Sequence, residues 1–166
     1  HKRLCWVCGE PLGKFMAFVI GPMCAVNRIS SEPPSHRDCA EFSARACPFL
    51  TRPQVERREG NLPEGANLAD TPGIALARNP GVALVWVTKR YTAFQAPNGT
   101  LFNVGAPEEV LWFAQGRKAT SEEVFESIRS GIPLLEEYAR QDGPEAMADF
   151  NNKLRVALNL ADVTTR

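Results

Sequence analysis

The sequence predicts an α+β fold, a small antiparallel sheet followed by carboxy-terminal helices, and three observations carry that prediction. All five cysteines fall in the first third of the chain, led by the C-x-x-C pair Cys5 and Cys8. Runs rich in β-branched and aromatic residues cluster between 82 and 104, with an Asn98-Gly99 turn signal among them. Beyond them, Pro107, the Thr120/Glu123 pair and Pro144 each read as the opening of a helix.

Residues 1–50 form the cysteine module. Cys5-Trp6-Val7-Cys8-Gly9 brings two sulfurs to one point, and Gly9 lets the backbone fold beneath them. His36-Arg37-Asp38-Cys39 supplies a second pair, which at i and i+3 shares one helix face. The double proline at 33–34 forces extended chain up to that helix, with Ser35 as N-cap and Asp38 as its capping-box partner. Cys5, Cys8, His36 and Cys39 thus read as the ligands of one structural Zn2+, all soft or borderline donors with no position left for water. Cys24 in place of His36 is the alternative. Cys47 lies two helical turns past Cys39, out of reach of the same metal, and Pro48 ends the helix behind it. Between the ligand pairs, two apolar stretches broken by Gly21-Pro22 outline a β-hairpin over Lys14–Arg28. Knuckle, hairpin and a helix carrying the last two ligands resemble the treble-clef zinc finger, over residues 4–47.

Residues 51–81 read as an extended connector, punctuated by proline and glycine from Pro53 to Gly81. The remainder, 82–166, reads as an α+β domain. Val82–Thr88, Tyr91–Ala96 and Thr100–Val104 predict a three-stranded antiparallel sheet whose last two strands meet at the Asn-Gly turn. Helices are then expected from Pro107 to near Gly116, from the Thr120 capping box to Ser130, from Pro133 to Gln141, and from Pro144 to about Leu160.

Composition bounds the function classes. Hydrophobic residues make up 44% and charged residues 23%, which suits a globular chain of 166 residues and argues against wholesale disorder. No apolar run approaches a membrane span, and the start at His1-Lys2-Arg3 has no leader pattern. An odd cysteine count with a C-x-x-C pair points to metal binding in a reducing compartment, hence a cytoplasmic location. Formal net charge is zero, split as +3 over residues 1–60 and −3 over 61–166. That excess permits a nucleic-acid surface without requiring one.

Catalytic patterns are missing from the sequence. There is no G-x-S-x-G elbow, P-loop or G-x-G-x-x-G. HNH nucleases share the treble clef, but that chemistry needs a histidine base; of the two histidines here, His1 is terminal and His36 is committed to metal. The acid pairs at 108–109, 122–123 and 136–137 read as solvated helix positions. The chain therefore reads as a non-catalytic binding protein. Arg28, Arg37, Arg45, Arg52, Arg57 and Arg58 form the candidate DNA- or RNA-contacting set on and after the zinc module. A protein partner docked by the acidic helical half is the alternative, and a carboxylate-bound hydrolytic metal is third. Trp6 and Trp112 read as core residues, with surface anchoring as the alternative.

The segments Cys5–Gly13, Phe18–Arg28, Glu32–Cys39, Cys47-Pro48-Phe49-Leu50 and Pro107–Thr120 resemble a family of uncharacterised proteins encoded by bacteria and their phages. The resemblance implies a phage or mobile-element accessory protein that binds nucleic acid or blocks a host complex. It implies no chemical mechanism.

Overall fold

The computed structural model describes residues 3–52 and 81–162. Most of the connector, with Arg57 and Arg58, and His1 lie outside the described residues. The elements run β1 (Met16–Ile20), α1 (Pro22–Asn27), β2 (Ile29–Ser30), α2 (Arg37–Ala46), α3 (Pro48–Thr51), β3 (Ala83–Thr88), β4 (Tyr91–Ala96), β5 (Gly99–Val104), β6 (Pro107–Ala114), β7 (Arg117–Lys118), α4 (Ser121–Asp142) and α5 (Pro144–Asp162). The fold is α+β, with antiparallel sheets and two long carboxy-terminal helices. No described helix is long and apolar enough to cross a membrane.

Two sheets carry the fold, in the orders β1-β3-β6-β7 and β2-β5-β4. Strand β3, Ala-Leu-Val-Trp-Val-Thr, is buried at all six positions because it lies between β1 and β6 with both faces covered. Leu84 and Trp86 point to one face, where Phe18, Ile20, Trp112 and Ala114 meet Ala25 of α1, Val124 and Ile128 of α4 and Ala161 of α5. Val85 and Val87 point to the other, where Ala17 and Phe113 meet Ala40 and Ala44 of α2. Small residues on α2 let its backbone approach the sheet closely. Both sheets cross the boundary drawn at residues 51–81, since β1 pairs with β3 and β2 with β5.

Several local expectations are corrected. The residues 82–104 do not form one three-stranded sheet. β4 and β5 pair as expected, though the two-residue loop is Pro97-Asn98 and Gly99 opens β5 opposite Ala96, but β3 belongs to the other sheet. No hairpin fills 14–28: Gly21 caps a short helix with Pro22 in its first turn, and Arg28, at φ 58°, ends it. The stretch from Pro107 is a strand, because the apolar run Val110–Phe113 pairs with β3 and gains burial on both faces. Its tight turn into β7 uses Gln115 and Gly116 at φ 51° and 77°, and a Cβ on Gly116 would stand 2.9 Å from the Arg45 carbonyl oxygen. Finally, α4 does not stop at Gly131. It runs through Pro133 to Asp142, with Gly131 buried against Met23 of α1, where no larger side chain fits without displacing the methionine.

The start of α4 conforms to its sequence signature. Thr120 Oγ1 accepts from the Glu123 N–H, and the Glu123 carboxylate accepts from the Thr120 N–H at 2.8 Å. Arg117 of β7 adds two hydrogen bonds to the same carboxylate at 2.6 and 2.9 Å. The Arg117 guanidinium first, then the Thr120 amide, hold the Glu123 carboxyl down at about 2. A depressed carboxyl stabilises the fold above its unfolded value and ceases to do so as pH falls through the folded one. Glu123→Gln is therefore expected to lower stability at pH 7, with the gap to the parent closing between about pH 4 and 2; urea midpoints across that range measure it. Equal midpoints at pH 7 would remove this carboxylate from the stability of the junction.

Candidate metal centre

Cys5 and Cys8 are set by a backbone knuckle. The Gly9 N–H donates to the Cys5 carbonyl at 2.9 Å and the Cys5 N–H to the Glu10 carbonyl at 2.8 Å, with Gly9 at φ 76°. Leu12 N–H donates to the Arg3 carbonyl, closing the base of the loop. The second pair is delivered by the sheet. Ala17 of β1 and Ser35 exchange two backbone hydrogen bonds, each 2.8 Å, and His36 follows directly. The expected Ser35 cap is corrected here: Ser35 is a buried bridging residue, the N-cap is His36 with ψ 152°, and no side chain caps the helix. His36 thus stands just before α2 and Cys39 in its first turn. The Trp6 N–H reaches the Pro34 carbonyl at 3.1 Å, tying the knuckle to the chain that brings His36.

The donor atoms of Cys5, Cys8, His36 and Cys39 all lie within 4.8 Å of one another. His36 Nδ1 is 3.4 Å from Cys8 Sγ and 3.9 Å from Cys39 Sγ. Its Nε2 is 3.1 Å from the Pro11 carbonyl oxygen. A carbonyl only accepts, so the ring proton sits on Nε2, and Nδ1 presents its lone pair to the sulfurs. The His36 N–H also donates to Cys5 Sγ at 3.3 Å.

The thiols are unequal. Burial pushes the Cys5 thiol up, but the amides of Cys8, His36 and Val7 outweigh it and hold it at about 6. Burial, then hydrogen bonds with Cys8 and Cys5 and repulsion from both, push Cys39 up to about 11. Three sulfurs at such range repel one another once ionised, and a cation at their centre removes that repulsion. This donor set could hold a metal ion. Cys5 is buried and Cys8 exposed, so the cluster sits at the surface.

The alternative ligand is not brought in: Cys24 lies on α1, packed against the main core, and burial raises its thiol. Cys47 caps the end of α2 through its N–H to the Ser43 carbonyl and stands outside the cluster.

The described members of the candidate nucleic-acid set are dispersed and engaged. Arg37 makes a two-pronged bond to Glu109 of β6, both contacts 2.9 Å, and also meets Glu41 at 2.9 Å and Asp38 at 3.4 Å. Glu109 is the larger cause of the raised Arg37 guanidinium, and Arg37 in turn lowers the Glu109 carboxyl. Arg45 pairs with Glu41 and stacks 5.2 Å over the Phe113 ring. Arg28 lies over Trp86 at 5.8 Å. Arg52 follows α3 and is exposed. Sequence reasoning missed Glu109 and Glu41 as partners of these cations. Glu109 read as a solvated helix-start acid, and only the strand assignment puts it beside Arg37. The tryptophans divide: Trp112 is buried, and Trp6 is exposed between the two knuckle ligands.

Set against known proteins, the chain matches no family model, no curated protein and no solved structure.

Proposed function

We propose that this chain is a zinc-stabilised, non-catalytic binding protein whose metal module docks another protein. For zinc, bond lengths near 2.3 Å to sulfur and 2.0–2.1 Å to nitrogen place tetrahedral S···N edges at about 3.6 Å. The observed 3.4 and 3.9 Å straddle that value. Three cysteines and one histidine complete the tetrahedron, so the metal's role is structural and no coordination position is left for a substrate. His36 spends both nitrogens, one on metal and one on Pro11, which removes it as a general base.

The observation that carries the docking surface is where apolar side chains are exposed. Of the six large hydrophobics exposed among the described residues, Leu4, Trp6, Val7, Phe15 and Phe42 lie in the metal module and only Phe94 lies elsewhere. Trp6 is 62% exposed between two ligands, and Phe42, 65% exposed, stands one turn beyond Cys39 on the ligand side of α2. Metal holds this backbone rigid, so an indole here enters a pocket with little ordering cost. The partner is accordingly a protein with an apolar pocket. The arginines of the module are largely satisfied by carboxylates and rings, which leaves phosphate contact with less support than a protein surface. The resemblance to bacterial and phage proteins makes a cytoplasmic bacterial complex the place to look.

Trp6→Ala is expected to abolish capture of a stoichiometric partner from bacterial lysate while leaving metal content and melting temperature unchanged. Capture that survives nuclease and depends on Trp6 supports the reading. Capture lost on nuclease treatment would instead assign the surface to nucleic acid.

A further inference from the structure

Among the described residues, each sheet edge but one is protected against pairing with another chain. The outer side of β1 is occupied by Ser35, whose backbone bonds to Ala17 in both directions. The far end of the same sheet is β7, only two residues long and doubly cationic, Arg117-Lys118. Short length and positive charge are the ordinary devices that blunt an edge. In the second sheet, β2 is a two-residue strand.

Strand β4 has none of these devices. It is six residues long, Tyr-Thr-Ala-Phe-Gln-Ala, without a charge or a proline, and among the described strands it pairs only with β5. Its register with β5 runs unbroken from Tyr91↔Val104 to Ala96↔Gly99. No bulge turns it away. Tyr91 anchors the strand by packing edge-on against Phe18 and Phe102, at 5.6 and 5.9 Å. Thr92, Ala93, Phe94 and Gln95 are all exposed, Phe94 at 40%. A rigid row of main-chain donors and acceptors therefore faces outward beside an uncovered aromatic ring.

We infer that β4 is a dimerisation edge, pairing antiparallel with β4 of a second copy of this chain about a two-fold axis at Phe94. A two-fold seam brings each strand against its own sequence, so any charge within it meets its counterpart across the seam or close by. β4 carries none. The flanking Arg90 lies opposite Asn98 of the partner subunit in this register, four residues beyond the axis on each side, so the two Arg90 side chains stay apart. Phe94 stacks on Phe94 of the partner subunit, and Thr92 faces Ala96 of the partner subunit. The two three-stranded sheets become one of six strands, β2-β5-β4 continued by its mirror order. One strand pair buries less than the ~1,600 Å² of a standard interface, so the dimer dissociates on dilution. This edge is separate from the metal module, and the inference does not depend on the docking reading.

Sedimentation equilibrium over a range of concentrations tests it. The unmodified chain is expected to pass from monomer to dimer as concentration rises, with the outward-facing amides of Ala93 and Gln95 gaining hydrogen-exchange protection in step. Phe94→Lys and Phe94→Glu proteins are each expected to stay monomeric, because like charges then meet on the axis. Neither change is expected to alter the melting temperature, since Phe94 belongs to none of the buried clusters. An equimolar mixture of the two variants is expected to recover the dimer. A parent chain that stays monomeric, unchanged exchange at Ala93 and Gln95, or variants that remain monomeric when mixed would each overturn the inference.

Discussion

Cys39→Ser is expected to lose the metal and with it the order of the amino-terminal knuckle, with the melting temperature falling by more than ~10 °C. Structural zinc contributes an apparent ~10–16 kcal/mol in small metal-folded peptides, comparable to the whole stability of an ordinary domain. Among the described residues, little else holds the Cys5–Cys8 knuckle in place. Leu4, Trp6 and Val7 are exposed, and the knuckle reaches the rest through backbone bonds such as Trp6 to Pro34. Without a cation, the three sulfurs are left with burial and mutual repulsion, which is why the Cys39 thiol stands at about 11. The damage spreads because Ser35 and Ala17 are bonded in both directions, linking the ligand helix to β1 and so to the central sheet. Elemental analysis is expected to give one zinc per parent chain and none in the variant, and a strong chelator to reproduce the variant's melting curve on the parent. A serine variant that keeps one metal equivalent and melts with the parent would remove the metal from the fold's foundations.

Gly105→Ala is expected to cost about 3 kcal/mol or more, the largest effect of any change remote from the metal. A methyl group there would strike the Arg90 carbonyl oxygen and stand 3.1 Å from Thr88 Oγ1. Neither neighbour can retreat cheaply. Arg90 O accepts the Gly105 N–H at 3.0 Å, and Thr88 Oγ1 is 2.9 Å from the Ala106 carbonyl. The Gly105 carbonyl also accepts the indole N–H of Trp86 at 2.9 Å. Shifting the backbone to admit a methyl group leaves that indole, buried in the centre of β3, without its acceptor. Urea unfolding of the two proteins measures the difference. A variant within half a kilocalorie of the parent, on the order of ordinary surface changes, would mean that the junction between β5 and β6 yields easily.

Local signals were legible and pairings were not. The cluster of four donors could be read because metal chemistry favours such spacing: two residues between Cys5 and Cys8, two between His36 and Cys39. The α4 cap and the β4–β5 turn were readable for the same reason, since each interaction is closed within a few residues. The failures lie where distant parts of the chain decide. Pro107-Glu108-Glu109 has the chemistry of a helix start, yet β3 offers Val110 to Phe113 a ladder and burial that outweigh it. Sequence neighbours usually pair, so β3 was placed beside β4; its partners are β1 and β6, far away in the chain. Gly131 and Pro133 look like stops, but packing of α4 on α1 and α5 carries the helix past both. The carboxylates that occupy Arg37 could not be found from spacing, because one of them lies 72 residues away.

That span bears on how the chain is made. Met16 pairs with Thr88 and Ile20 with Leu84, so the first strand to emerge during synthesis has no neighbour until the second half has been translated. The knuckle and its second ligand pair are complete by residue 39, well before then. An ion captured by that cluster would therefore hold Ser35, and through its two backbone bonds Ala17, while the strand beside β1 is still to come.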